Sequence, residues 1–164
     1  AGTAKAISTT AAKLAMLPDA VAPKVFSKGL RATHRYRVPG AREEAQQAFP
    51  HVMQRALPQL RLSRLNGSSE THARLDALMA IMTSLSDTCV LSRSGMHGLE
   101  TMQNGARAVL LAGGTAQPEG REALAILDAQ MLALNASPGG AADLLAATLF
   151  LDRIDASSAP YLPN

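Results

Sequence analysis

Asn135-Ala-Ser-Pro-Gly-Gly-Ala-Ala-Asp-Leu-Leu-Ala-Ala-Thr-Leu-Phe-Leu151 is the stretch on which the fold turns. Ser137 has the side chain of an N-cap, and Pro138 suits a first helical position because its φ is already helical and no N–H is lost. The residues that follow are almost wholly apolar, so a helix over 138–153 is expected to be buried on most sides. One ionisable group, Asp143, sits about a turn inside it, and a buried carboxylate is costly without a partner. Gly139 and Gly140 leave the first turn bare, which either permits close helix packing or opens free N–H groups to an anion such as phosphate.

Working outward, the palette is helical. Of 164 residues, 47% are apolar but only 3% aromatic, with no Trp, so the core must come from Leu, Ala, Met and Val. Glu70 to about Ser86 has the clearest amphipathic pattern, with Leu75, Leu78, Met79, Met82 and Leu85 in one stripe and Ile81 widening it. Further helices are expected over 4–16, from about Pro23 to Tyr36 with Val25, Phe26 and Leu30 inward, and over 96–112 and 120–134. Met53, Leu57, Leu60 and Leu65 predict another, bent at Pro58. No segment alternates as a strand does. The fold class is therefore all-α, a bundle of about seven helices in a single domain over 1–155, with a loose tail over 156–164.

Sixteen basic and thirteen acidic residues give a net charge of +3 and a pI of about 9.4. The densest basic run, Arg31–Arg42, points to a local anion site rather than a nucleic-acid face. Cys89 is the sole cysteine, which excludes an internal disulfide and fits a reducing compartment. It has no His or Cys at ligand spacing and reads as a small buried hydrophobe. No apolar run has the length of a membrane span, so a soluble cytoplasmic protein is expected, with neither membrane nor nucleic acid as partner.

Chemistry-bearing residues cluster in three places. Arg42, Glu43 and Glu44 follow the Val38-Pro39-Gly40 turn. The two acids there suit either a first helical turn or a metal or substrate hydroxyl, and Arg42 suits phosphate. His51, after Pro50, reads as a capping or packing residue. Asp87-Thr-Cys-Val-Leu-Ser-Arg-Ser-Gly95 reads as a connector carrying an acid, hydroxyls and Arg93.

Gly40-Ala-Arg-Glu-Glu-Ala with Phe49-Pro50-His51-Val52, the Asp87–Gly95 segment, and Ser137-Pro-Gly-Gly-Ala-Ala-Asp-Leu-Leu-Ala146 occur in that order. Together they resemble the triphosphoribosyl-dephospho-coenzyme A synthase family, with the full run Phe49–Val52, Cys89 and the ending through Asp152 closer to its malonate decarboxylase branch. Where the family pattern has His followed by Arg-Gly-Gly, this sequence reads Ser92-Arg93-Ser94-Gly95. The resemblance covers about 25–154 and corresponds to the C-terminal portion of such an enzyme. A separate or cleaved N-terminal half, or a second copy of the chain, is then a candidate partner.

The resemblance implies a transferase taking ATP and 3′-dephospho-coenzyme A, with Mg²⁺, and releasing adenine. Its product, 2′-(5″-triphosphoribosyl)-3′-dephospho-coenzyme A, is the precursor of the decarboxylase's carrier prosthetic group. Glu43, Glu44, Asp87 and Asp143 are the candidate catalytic acids, with Glu44 and Asp87 also the candidate metal ligands. Arg42, Arg93, Ser137, Gly139 and Gly140 are the candidate phosphate-binding residues. The competing class is a non-catalytic helical assembly or carrier-protein-binding module on the same fold.

Overall fold

A computed structural model describes residues 2–18 and 27–158. The predicted Val25 and Phe26 lie outside that range. The described residues form helices joined by short turns and contain no strand. The helices are α1 (Ala4–Ala15), α2 (Lys28–Tyr36), α3 (Ala41–Gln46), α4 (Leu57–Leu65), α5 (Glu70–Met82), α6 (Thr88–Leu111), α7 (Pro118–Ala133) and α8 (Gly139–Ser158). A π-helical turn, His51–Ala56, leads directly into α4. The interruption or bend expected at Pro58 is thus preceded by a stretch of widened backbone. Pro58 itself lies among the first residues of α4, where the π-helical turn gives way to α-helix.

The most enclosed helix is α5, not α8. Ala73, Ala77, Met79, Ala80, Ile81 and Met82 are all buried, whereas Leu75, Leu78 and Leu85 of the predicted stripe are only half-buried. Alanines on the remaining faces let α4, α6 and α8 approach α5 closely, so the helix is buried nearly all round. By contrast α8 buries Ala141, Thr148 and Leu151 and leaves Phe150 59% exposed. Leu30 and Leu65 also face outward rather than into the core. The main core runs from Leu60 through Ile81, Leu91, Met102 and Val109 to Met131, and a satellite cluster joins Ala4, Val52, Leu57 and Leu151.

Polar chemistry inside the bundle is fully engaged at Asp76. Its carboxylate accepts from the Ser63 hydroxyl (2.8 Å) and the Thr115 N–H (2.7 Å), joining α4, α5 and the α6–α7 connection. Two boundaries differ from the sequence reading. The Thr88–Ser94 segment is the opening of α6 rather than a connector; Gly95 (φ 65°, ψ −159°) breaks the helix without ending it. At the far end α8 continues through Ser158, past the start of the expected tail.

Candidate active site

Two helix starts meet at one carboxylate. Asp87 caps α6, its Oδ1 accepting from the N–H groups of Cys89 (2.8 Å) and Val90 (3.3 Å). Its Oδ2 accepts from the Ala141 N–H (2.9 Å), in the first turn of α8. Asp87 thus makes for α8 the bond that Ser137 was expected to make, and α8 begins at Gly139 instead. The two glycines permit this approach. A Cβ on Gly140 would stand 3.1 Å from Asp87 Oδ2, and one on Gly139 3.0 Å from Cys89 Sγ. Burial pushes the Asp87 carboxyl above the ordinary range, against the pull of the N–H groups around it. With three backbone donors on two oxygens and 1% exposure, Asp87 is a junction between helices rather than an open acid or metal ligand.

On one side of this junction is a cavity of about 290 Å³ lined by Glu44, Phe49, His51, Asp87, Gly140 and Asp143, among others. Three of the predicted acids therefore share one cavity. Glu44 Oε1 accepts from the His51 N–H at 2.9 Å, and Oε2 lies 2.8 Å from His51 Nδ1. The chain reaches this pose through a tight reversal. Ala48 and Phe49 both hold left-handed backbone (φ 59° and 58°), and the Phe49 N–H returns to the Glu44 carbonyl at 2.9 Å. Consecutive non-glycine residues in that region are strained. Asp143 was expected on a buried face but is exposed to this cavity, and it has no hydrogen-bond or ion-pair partner among the described residues.

On the other side lies a cavity of about 500 Å³ with a cationic lining: Lys28, Arg31, Arg35 and Arg93, with Ser137 and Gly139. The first turns of α2, α6 and α8 all reach it, through Lys28 and Gly29, Thr88 and Cys89, and Gly139. None of the four cations is ion-paired among the described residues, although Arg35 stands 5.3 Å from the Tyr36 ring centroid. Thr88 lines both cavities, and Gly139 and Gly140 face one each. Lys28, Arg31 and Arg35 were not among the expected phosphate ligands; the signal that would have found them is their spacing at i, i+3 and i+7 of one helix.

Two predicted residues lie apart from both cavities. Glu43 Oε2 accepts from the Gly40 N–H at 2.8 Å, closing the start of α3, so the first-turn reading is the one that holds. The Arg42 guanidinium donates to the carbonyls of Ala15 (3.2 Å) and Leu17 (2.7 Å), fastening α3 to the end of α1 rather than meeting phosphate. Cys89 is exposed, not buried, and lines the cationic cavity. Desolvation, with the Asp87 charge second, pushes its thiol up and away from nucleophilic reactivity. Among the described residues no group of three His, Cys, Asp or Glu side chains is placed to hold a metal ion.

The arrangement pairs an anion-binding hollow with an acid-lined one across a thin helix junction. A family model described as CitG, ATP:dephospho-CoA triphosphoribosyl transferase, matches residues 2–160. The chain belongs to the CitG family. It is 71% identical over 153 residues to the 2-(5″-triphosphoribosyl)-3′-dephosphocoenzyme-A synthase of Klebsiella pneumoniae, covering 93% of this chain and 55% of that protein. A probable synthase of the same name from Pseudomonas fluorescens (strain Pf0-1) is 60% identical over 152 residues, covering 93% and 52%. The chain thus spans about half the length of the curated relatives it matches. No solved structure matches it.

Proposed function

We propose that this chain carries the reaction site of an enzyme that transfers the triphosphoribosyl group of ATP to 3′-dephospho-coenzyme A and releases adenine. Its product would be the prosthetic-group precursor of a malonate decarboxylase carrier subunit, the branch suggested by Phe49–Val52 and Cys89. The observation that carries the reading is the pairing of the two cavities across the Asp87 junction. ATP is itself two-sided, with a polyanion at one end and a reacting sugar–base bond at the other.

The triphosphate belongs in the cationic cavity, against Lys28, Arg31, Arg35 and Arg93, where the starts of α2, α6 and α8 add their partial positive charge. The ribose then crosses at Thr88 and Gly139–Gly140, where bare backbone leaves room. In the acid-lined cavity Asp143 faces the sugar carbon as it becomes cationic, and a fixed carboxylate there lowers the barrier. Phe49 supplies an apolar ring for adenine.

Magnesium entering with the triphosphate would neutralise part of its charge. Asp143, the open acid, lines the other cavity and the cationic one has no carboxylate in its lining, so phosphates and water would supply most of such an ion's coordination there. Glu44 and Asp87 fit less well, since their oxygens already accept N–H groups.

The test uses a protein of the relatives' full length carrying this sequence, incubated with ATP, 3′-dephospho-coenzyme A and Mg²⁺. Chromatography should show adenine and mass spectrometry the triphosphoribosylated product in equal amounts. A folded protein that binds both substrates yet releases no adenine would sink the reading.

A further inference from the structure

We propose that His51 is the general base of the transfer, with Glu44 its positioning residue; the inference rests on the reaction proposed above. An ionised carboxylate can only accept hydrogen bonds, and both oxygens of Glu44 face His51: one takes its backbone N–H, the other lies 2.8 Å from Nδ1. The proton on the neutral ring is therefore assigned to Nδ1, which leaves the lone pair on Nε2. That nitrogen has no hydrogen-bond partner among the described residues, and the ring lines the acid cavity. Base, orienting carboxylate and open nitrogen follow the logic of a nucleophile-activating triad, with the acceptor's hydroxyl as the third member.

Three features of the backbone support a functional pose. One carboxylate holds the residue at its backbone N–H and the ring at Nδ1, so the imidazole is oriented before substrate arrives. The turn that delivers it holds Ala48 and Phe49 in left-handed backbone, a strain that persists only where surrounding structure enforces it. His51 then opens a π-helical turn, a widened geometry frequent at functional sites.

The chemistry balances without a further reagent. The ribose hydroxyl oxygen of 3′-dephospho-coenzyme A forms the new bond to C1′ of the ATP ribose, and its proton passes to His51 Nε2. The C1′–N9 bond breaks with its electron pair leaving on adenine. Return of the proton from the imidazolium to adenine restores the neutral ring for the next cycle.

The test uses the full-length protein and follows product formation, ATP affinity and melting temperature together. His51→Ala should lower kcat by about 10²–10⁴-fold, leave ATP affinity and melting temperature near those of the unmodified protein, and recover part of the rate with added imidazole. His51→Gln, which keeps a donor towards Glu44 but has no basic nitrogen to take up a proton, should be equally slow and not need the cavity refilled. Glu44→Gln should cost less, and the double variant should be no slower than His51→Ala alone, because the two act as a unit. Unchanged kcat in His51→Gln would overturn the assignment. So would a loss that tracks melting temperature, resists imidazole and adds to that of Glu44→Gln. Absence of adenine release from the unmodified protein would instead overturn the transfer reading, and this assignment with it.

Discussion

At Asp143 structure and chemistry separate cleanly, because the side chain is exposed to the cavity and bonded to nothing among the described residues. Asp143→Asn should therefore leave stability within about 0.5 kcal/mol, the usual range for a surface change. It should lower adenine release by about 10²-fold or more if the carboxylate faces the sugar carbon. Paired thermal melting and adenine assays read both, and normal release from the variant would remove Asp143 from the reaction. The two arginines give a matched contrast. Arg93→Ala should weaken ATP binding by about ten- to a hundredfold, the loss of a charged hydrogen bond of about 1.5–3 kcal/mol. Arg42→Ala should leave ATP affinity alone and lower the melting temperature, because its guanidinium holds the Ala15 and Leu17 carbonyls. Calorimetry on both variants tests the assignment. Part of the candidate site was legible as a set of residues: Glu44, Asp87 and Asp143 share a cavity, and Arg93, Ser137 and Gly139 share another, whereas Lys28, Arg31 and Arg35 were not among the expected phosphate ligands and His51 read as a cap. Their jobs were not legible. A first-turn Glu satisfies its own helix start in one position and reaches seven residues ahead in the next, and only the Ala48–Phe49 reversal decides that Glu44 meets His51.

The helix junction predicts the outcome of Gly140→Ala. In isolation the change favours α8 by up to about 1 kcal/mol, since glycine weakens a helix relative to alanine. Here the new Cβ would stand 3.1 Å from Asp87 Oδ2, against a carboxylate that is buried and already bonded to Ala141. Moving it strains three hydrogen bonds at once, and overpacking of this kind costs about 1–3 kcal/mol. Crowding wins, so urea unfolding should show a less stable protein with an unchanged slope; a stabilised variant would mean the helix ends are not held together as described. The same junction explains which elements the sequence displayed. Helices with Leu and Met at 3.6-residue spacing, such as α7, were visible as periodic patterns. The opening of α6 was not, because Thr88, Ser92 and Ser94 with Gly95 have the composition of a loop, while an aspartate cap and burial of Val90 and Leu91 make it helix. The roles of α5 and α8 were exchanged for a related reason. Alanine is tolerated inside and outside alike, so an alanine-rich helix does not announce which of its faces is covered.

Across the whole molecule, an ion-pair network joins α4 to α5 and α8: Arg64 bridges Glu70 and Asp152, Arg61 bridges Asp152 and Asp155, and Arg74 returns to Glu70. Asp155 Oδ1 also takes the Ala4 N–H at 2.7 Å, fastening the start of α1 to the end of α8. Bonds from Arg64, then Arg74, draw the Glu70 carboxyl down to about 2, and the Ala4 N–H, then Arg61, lower that of Asp155. Both carboxylates thus have folded values below their unfolded ones. Their contribution is complete above the unfolded value, near 4–4.5, and is lost as pH falls from there through the folded one. Asp87 works in the opposite sense. Burial raises its folded value, so protonation relieves an unfavourable charge and adds stability as pH falls through that value towards the ordinary one. The acid limb of the stability curve should therefore be shallow at first and steepen below about pH 4, where the Asp87 gain is complete and the network is still discharging. Glu70 is 43% exposed, so solvent screens it and each of its pairs adds at most about 1 kcal/mol. Glu70→Gln should accordingly lower the melting temperature at pH 6 by a small amount that shrinks towards zero near pH 2, and added salt should shrink it as well. Calorimetric scans of both proteins across this range provide the check. A gap that stays constant with pH would mean that Glu70 acts through packing rather than charge.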